Sequence, residues 1–317
     1  MKKLLFVIVC ILCVSSIKAQ FDAQFNQYWA VENYYNPAKA GTEANKLNLT
    51  ALYKMQWLGM PGAPKSTFIT GDAGIDFLGR NHGVGASFLN EKIGLYSLST
   101  FAAQYAFKLK LLNGILSLGL EAGMFDLSFD GTKLFTPSGG EYHSASDGGI
   151  PESRMDGSKL NVNFGARYST DKYYVGVSST KLTEPVLNFG ESDLMSLYIG
   201  RIYYLTAGGN INLSNPLYQV RPSFLVKSDM LTTQIDVTGR FVYNDFLWAG
   251  LSYRWKEALV FSFGAEIKNI RFGYAYDYST TDIMKASSGS HEITLSYLMD
   301  LNLSKQNKYK YKSVRVL

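Results

Sequence analysis

The sequence predicts an all-β fold, a transmembrane outer-membrane β-barrel of about 14 antiparallel strands with an irregular segment at its N-terminus. Three observations predict it. First, the stretch Leu231–Tyr278 holds four segments of strict alternation. In the first, Leu231, Thr233, Ile235, Val237, Phe241 and Tyr243 share one face, and Thr232, Gln234, Asp236, Thr238 and Arg240 share the other. A period of two with one apolar face marks an extended strand, and so long a meander has to close on itself or be covered. Second, the chain starts like an exported protein. Lys2 and Lys3 precede an apolar run from Leu4 to Val14, followed by Ser15, Ser16 and a cleavage site after Ala19. Third, the 317 residues include 22 Tyr and 29 Gly but 8 Pro, with a mean hydropathy close to zero. Barrel strands alternate lipid-facing and lumen-facing residues, so an unremarkable average is what a barrel gives.

Residues 1–19 read as a cleaved signal peptide, because the apolar run is too short to span a bilayer. Cleavage would remove Cys10 and Cys13, leaving no thiol for disulfides, metal binding or nucleophilic attack. Residues 20–45 are aromatic and amide-rich, and Pro37 and Gly41 make them too irregular for a strand. They either enter the lumen as a plug or pack on the rim as a periplasmic lead-in.

The barrel is expected over 46–304. Its strands centre on Leu47–Trp57, Ile69–Phe77, Val84–Phe88, Leu95–Leu109, Leu116–Met124, Leu160–Tyr168, Tyr173–Val177, Tyr203–Leu213 and Val220–Val226. The four strands of the meander and a last one, His291–Leu301, complete it. Short connections near Asn113, Asp171, Asn215 and Asn269 alternate with long ones, Asp126–Ser158 and Lys181–Asp193. Short periplasmic turns and long external loops belong to this architecture. A basic tail, 305–317, with Lys305, Lys308, Lys310 and Lys312 among tyrosines, ends the chain. The formal charge is a modest +5, and nucleic acid is not an expected partner.

No catalytic, cofactor or metal site is expected. His82, His143 and His291 are far apart and show no metal-binding spacing. No glycine-rich loop joins a strand to a helix, so nucleotide binding has no support. The charges Lys54, Asp72, Asp76, Glu121, Arg167, Asp236, Arg240, Arg254, Glu266, Arg271 and Asp277 all fall on polar strand faces. A cation on the lipid face would cost about 2–4 kcal/mol at the midplane, so these side chains should line the lumen. There they either pair with one another and fill it, or form a solute pathway.

Several short stretches then stand in order: Gln24-Phe25-Asn26-Gln27-Tyr28, Asn36-Pro37-Ala38-Lys39-Ala40-Gly41, Gln56-Trp57, Gly62-Ala63-Pro64, Gly273-Tyr274-Ala275-Tyr276-Asp277 and Gly289-Ser290-His291-Glu292. The set resembles the PorP/SprF family of outer-membrane proteins, components of the type IX secretion system of Bacteroidetes. The resemblance singles out Asn36, Pro37, Ala38, Gly41, Gln56, Trp57, Pro64, His291 and Glu292 as family-motif residues for partner binding. It departs at Lys54, where Arg is the usual residue, and this puts bidentate pairing there in doubt.

The resemblance implies a non-enzymatic role in protein secretion, and in related gliding bacteria in secreting or anchoring surface adhesins. It also implies partners: a periplasmic ring of a lipoprotein and its companion (PorK and PorN), a peptidoglycan-binding linker, and the C-terminal domains of secreted cargo. Two other roles suit the same strands. One is a porin or transporter for small solutes or fatty acids. The other is an outer-membrane hydrolase, which needs a serine beside His291.

Overall fold

A computed structural model describes residues 22–77, 79–133, 153–189 and 195–301. The barrel wall is β1 (Lys46–Met55), β2 (Lys65–Phe77), β3 (Arg80–Ile93), β4 (Tyr96–Leu111), β5 (Gly114–Asp130), β6 (Arg154–Ser169) and β7 (Tyr173–Thr180). After a small hairpin of β8 (Val186–Phe189) and β9 (Met195–Tyr198), it continues with β10 (Ile202–Gly209), β11 (Ile211–Asn212) and β12 (Tyr218–Ser228). The meander β13 (Thr233–Tyr243), β14 (Leu247–Arg254), β15 (Ala258–Ile267), β16 (Ile270–Ser279) and β17 (Ser290–Asp300) finishes it.

Every neighbour in the wall is antiparallel, and β1 pairs with β17 to close it, from Lys46↔Asp300 to Met55↔His291. β10 and β11 are one strand, since both hold a single register on β12, from Gly208↔Ser223 to Ile211↔Val220. The ladder breaks between them beside Pro222, which has no N–H to donate. Counting them together, the barrel has the 14 strands expected.

The outer face is apolar. Leu49, Ile69, Phe101, Leu120, Phe164, Val177, Val237, Phe261 and Leu295 are all exposed, as a lipid-facing band has to be. Tyr243 at one rim, and Trp255 and Tyr278 at the other, begin the aromatic girdles.

The turns 112–113, 170–172, 244–246 and 268–269 close one rim, where β1 starts and β17 ends. Asn244 and Asp245 both take positive φ, as a tight connection between twisted strands requires. The long connections 56–64 and 280–289 lie at the other rim, where β5 ends and β6 starts and where β7 ends and β10 starts.

The long-loop rim differs from expectation in three places. β1 stops at Met55, and Trp57 sits in the following loop with a φ of 49°. The connection 126–158 is shorter than expected, because β5 and β6 stay paired as far as Asp130↔Arg154. Above Met124 the apolar side chains move from the outward to the inward positions of the same alternation, and Phe125, Leu127 and Phe129 are buried there. Asp126 faces out there, as befits a strand that has left the bilayer. The segment 181–193 contains β8 and leads into the hairpin, whose four-residue strands are too short to show parity. His143 lies outside the described residues, as do 1–19 and 305–317.

The segment 22–45 runs the length of the lumen. From Asn45 at the short-turn rim it passes inward through a 3-10 turn (Pro37–Lys39) and a single helical turn, α1 (Glu32–Tyr35). It reaches Asp22 near the long-loop rim, beside Lys181 and Lys227. Ala23, Phe25, Tyr28, Val31 and Tyr35 are buried against inward-facing Leu52, Phe68, Leu89, Phe125, Leu127 and Leu225. Each large apolar side chain so buried contributes about 1.5–3 kcal/mol. The long-loop half of the lumen therefore holds an apolar core threaded by buried charge pairs, while the short-turn half is polar.

Candidate functional site

The lumen segment and the wall that grips it bring most of the sequence-predicted residues together. At its centre is Asn26. Its backbone N–H and that of Gln27 donate to the two carboxylate oxygens of Glu292, each at 2.7 Å. Its Oδ1 accepts from Arg254 at 2.9 Å and from Lys54 at 3.3 Å, and Lys54 also donates to the Gln24 carbonyl at 2.6 Å. Lys54 and Glu292 are direct partners across β1 and β17. Lysine at 54 thus serves as a point donor to two acceptors, a task that asks for no planar fork. Arg254 also binds Asp236 at 2.9 Å and Asp277 at 2.7 Å, joining β13, β14 and β16 under the segment.

Further along, Glu32 accepts from Arg167 at 2.8 Å, both side chains being buried. Tyr28 bonds the hydroxyls of Ser223 and Thr238, and Asn33 donates to Thr70 and Asp72. Asp72 receives the Gly41 N–H at 2.8 Å as well. At the far end Asp22 meets Lys181, Lys227 and the hydroxyls of Tyr34 and Tyr204. Burial pushes the Asp22 carboxyl up, but the two lysines and the two hydroxyls outweigh it and hold the group below its ordinary value of 3.8.

The stretch Asn36 to Gly41 lies directly on glycines of the wall. A Cβ on Gly119 would stand 2.1 Å from Ala38 N and 2.4 Å from Pro37 C. One on Gly83 would stand 2.0 Å from the Ala40 carbonyl oxygen, and one on Gly165 2.1 Å from Asn36 Oδ1. Asn36 bonds the carbonyls of Ala166 and Val177 through its amide and caps the Pro37 turn by accepting from Ala38 N. Gly41 takes a φ of 60° where the chain bends toward β1. Asn36, Pro37, Ala38, Gly41 and Glu292 are thus buried parts of the seating.

The other motif residues lie at the long-loop rim. Gln56 N donates to the Pro64 carbonyl, closing the loop that carries Trp57, and Trp57 N donates to Ser290 Oγ at 3.2 Å. Gln56, Trp57 and Pro64 line a cavity of about 390 Å³ with Asp22, Lys227 and Thr281. His291 faces outward between Tyr274 and Tyr276, with its Nδ1 2.7 Å from the Tyr274 hydroxyl rather than from a serine.

Of the remaining lumen charges, Glu266 and Arg271 pair at 3.1 Å near the short-turn rim, with Glu43 close by. Asp76 accepts from Asn45 and Asn81 there. Arg240 stands apart: its guanidinium lies 4.6 Å from the Trp29 ring and 6.0 Å from that of Trp248. Sequence alone did not single out Asp22, Glu32, Tyr28 and Trp29 as wall contacts. A signal for one was available: Arg167 faces Ser117 and Gly176 on its neighbouring strands, so its acid had to come from elsewhere.

Among solved structures, the chain is similar to the Acinetobacter baumannii outer membrane protein Omp33, with a TM-score of 0.47, 7% identity, and coverage of 81% of this chain and 100% of that one. The Ralstonia pickettii toluene transporter TbuX gives 0.46, 12%, and coverage of 90% and 96%. No curated protein matches significantly. The family model for the type IX secretion system membrane protein PorP/SprF matches residues 17–297, from just ahead of the lumen segment to within the last strand. The chain belongs to the PorP/SprF family of type IX secretion system membrane proteins.

Proposed function

We propose that this outer-membrane barrel works in protein secretion as a docking subunit, by binding partners at its two rims rather than by conducting solutes. The observation that carries this reading is the seated segment 22–45, whose Val31 and Ala38 are fully buried in mid-lumen and whose anchors reach strands around the wall. A porin for small solutes would need that path clear. With the usual orientation, the short-turn rim faces the periplasm and the long loops face outward. The periplasmic rim then engages the ring lipoprotein and its companion (PorK and PorN) and the peptidoglycan-binding linker. The outer rim, with Gln56, Trp57 and Pro64, engages the C-terminal domains of secreted cargo. Residues 1–19 act as the cleaved export signal, and the basic tail at 305–317 remains on the periplasmic side.

Affinity isolation of the tagged protein from outer membranes tests this. Co-recovery of the ring components or of secreted C-terminal domains is the expected result. Recovery of neither, together with size-dependent sugar entry in liposome swelling, would replace the docking role with a transport role.

A further inference from the structure

We infer that the polar vestibule at the short-turn rim is a receptor for an acidic peptide segment, with Arg240 as its anchor. The vestibule comprises two adjoining cavities of about 500 and 520 Å³, which share Thr42, Arg167, Tyr174 and Arg240 in their walls. The first carries five carboxylates, Glu32, Glu43, Asp72, Asp245 and Glu266, each already bonded to a neighbour. The second, by contrast, is lined by Lys110, Arg167, Lys172 and Arg240 against one carboxylate, Asp171, among the described residues.

Arg240 is an unpaired cation of this space, held on both cavities' walls. Its Nε is buried without a partner, and among the described residues its guanidinium makes no hydrogen bond or ion pair. What it has instead is a face on Trp29, with Trp248 set edge-on to that indole at 88°. Directly across the β12–β13 ladder stands another cation, Arg221. Like charges placed opposite one another are unfavourable unless something neutralises them. Arg221 is partly answered by Asp245 at 2.7 Å, but Arg240 has no ion pair among the described residues. Two guanidinium forks side by side, one of them held flat by indoles, suit planar carboxylates bidentately.

The vestibule's position selects the source of those carboxylates. It lies inside a closed wall, so lipid headgroups of the bilayer have no lateral path to it, whereas a peptide reaches it through the short-turn rim. The chain's own unassigned ends do not fit, because 1–21 and 302–317 contain lysines and arginine but no Asp or Glu. The occupant is therefore a segment of another protein, rich in Asp or Glu. This deepens the docking role proposed above and rests on it for the identity of the partner, but not for the site.

The test uses the full-length protein in detergent at low salt and a fluorescein-labelled hexaglutamate peptide, followed by anisotropy, with a hexalysine peptide and inorganic phosphate as comparisons. Hexaglutamate is expected to bind, hexalysine not to bind, and phosphate to compete poorly. Arg240→Gln should weaken hexaglutamate binding about tenfold, the loss of one charge-assisted pairing. Arg240→Lys should recover only part of it, and heat-modifiable gel mobility checks that both variants fold. Equal binding by wild type and Arg240→Gln overturns the proposal, and so does displacement of the peptide by phosphate at equal concentration, which would make this a free-oxyanion site. Hexaglutamate binding by a protein that recovers no secretion component would instead refute the docking role and leave the acidic-peptide site standing.

Discussion

Gly119→Ala separates the seated segment from the wall that holds it. The added Cβ would lie 2.1 Å from Ala38 N and 2.5 Å from Ala38 Cα, both backbone atoms that no rotamer change can move. Ordinary contact needs about 3.5 Å, so the segment has to withdraw by roughly 1.4 Å. Overpacking of this kind costs about 1–3 kcal/mol. The strand itself suffers little, because alanine restricts an unfolded chain more than glycine and β5 keeps its ladders to Ala106 and Gly165. The cost therefore falls on the seating, where Gly41 N–H reaches Asp72 and Ala40 N–H reaches the Pro37 carbonyl. Hydrogen exchange at the amides of Lys39 to Gly41 should speed up roughly 5- to 150-fold, while the β5–β6 ladder amides keep their protection. Unchanged exchange at Lys39 to Gly41 would refute the idea that this glycine is a socket.

Four other outcomes follow from the same contacts. Deleting residues 22–44 should turn a sealed barrel into one with steady planar-bilayer conductance, and an unchanged trace would mean the segment does not block the lumen. Glu292→Gln replaces one acceptor with a donor facing an N–H, so the Asn26 and Gln27 amides should lose about 1.5–3 kcal/mol of protection, read by exchange at those two residues. Arg254→Met leaves Asp236 and Asp277 buried without their cation and should lower unfolding stability by about 3–5 kcal/mol; restoring much of it with Asp236→Asn would confirm the cause. Because the Asp22 carboxyl is held below 3.8, its contribution is complete above that value and is lost as pH falls through the lower folded value. Acid should accordingly loosen the Asp22 end in the wild type, and Asp22→Asn should remove that sensitivity.

The wall was legible in the sequence because a closed barrel must alternate wherever lipid and lumen lie on opposite faces. The β13–β17 region shows this without interruption. Alternation stopped being informative where its cause stopped. Past Met124 the outward side chains of β5 meet water and the inward ones meet Tyr34, Phe25 and their neighbours, so Phe125-Asp126-Leu127 inverts the pattern and reads as a loop. Leu52, Phe68, Leu89 and Leu225 likewise carry apolar side chains on the polar parity, and they mark where an apolar segment docks. The motif residues were legible as positions but not as neighbours. Asn26 and Glu292 are 266 residues apart, and no spacing rule joins them.

The pairing of Lys54 with Glu292 has a consequence for the order of biogenesis. These residues come from the first and last strands, so the cradle for Asn26 and Gln27 exists only once the cylinder's seam is zipped. An unfinished sheet, still waiting for β17, offers the N-terminal segment half of its cradle. Seating of that segment is therefore a built-in readout of completed closure, available to any assembly factor or partner that inspects the lumen.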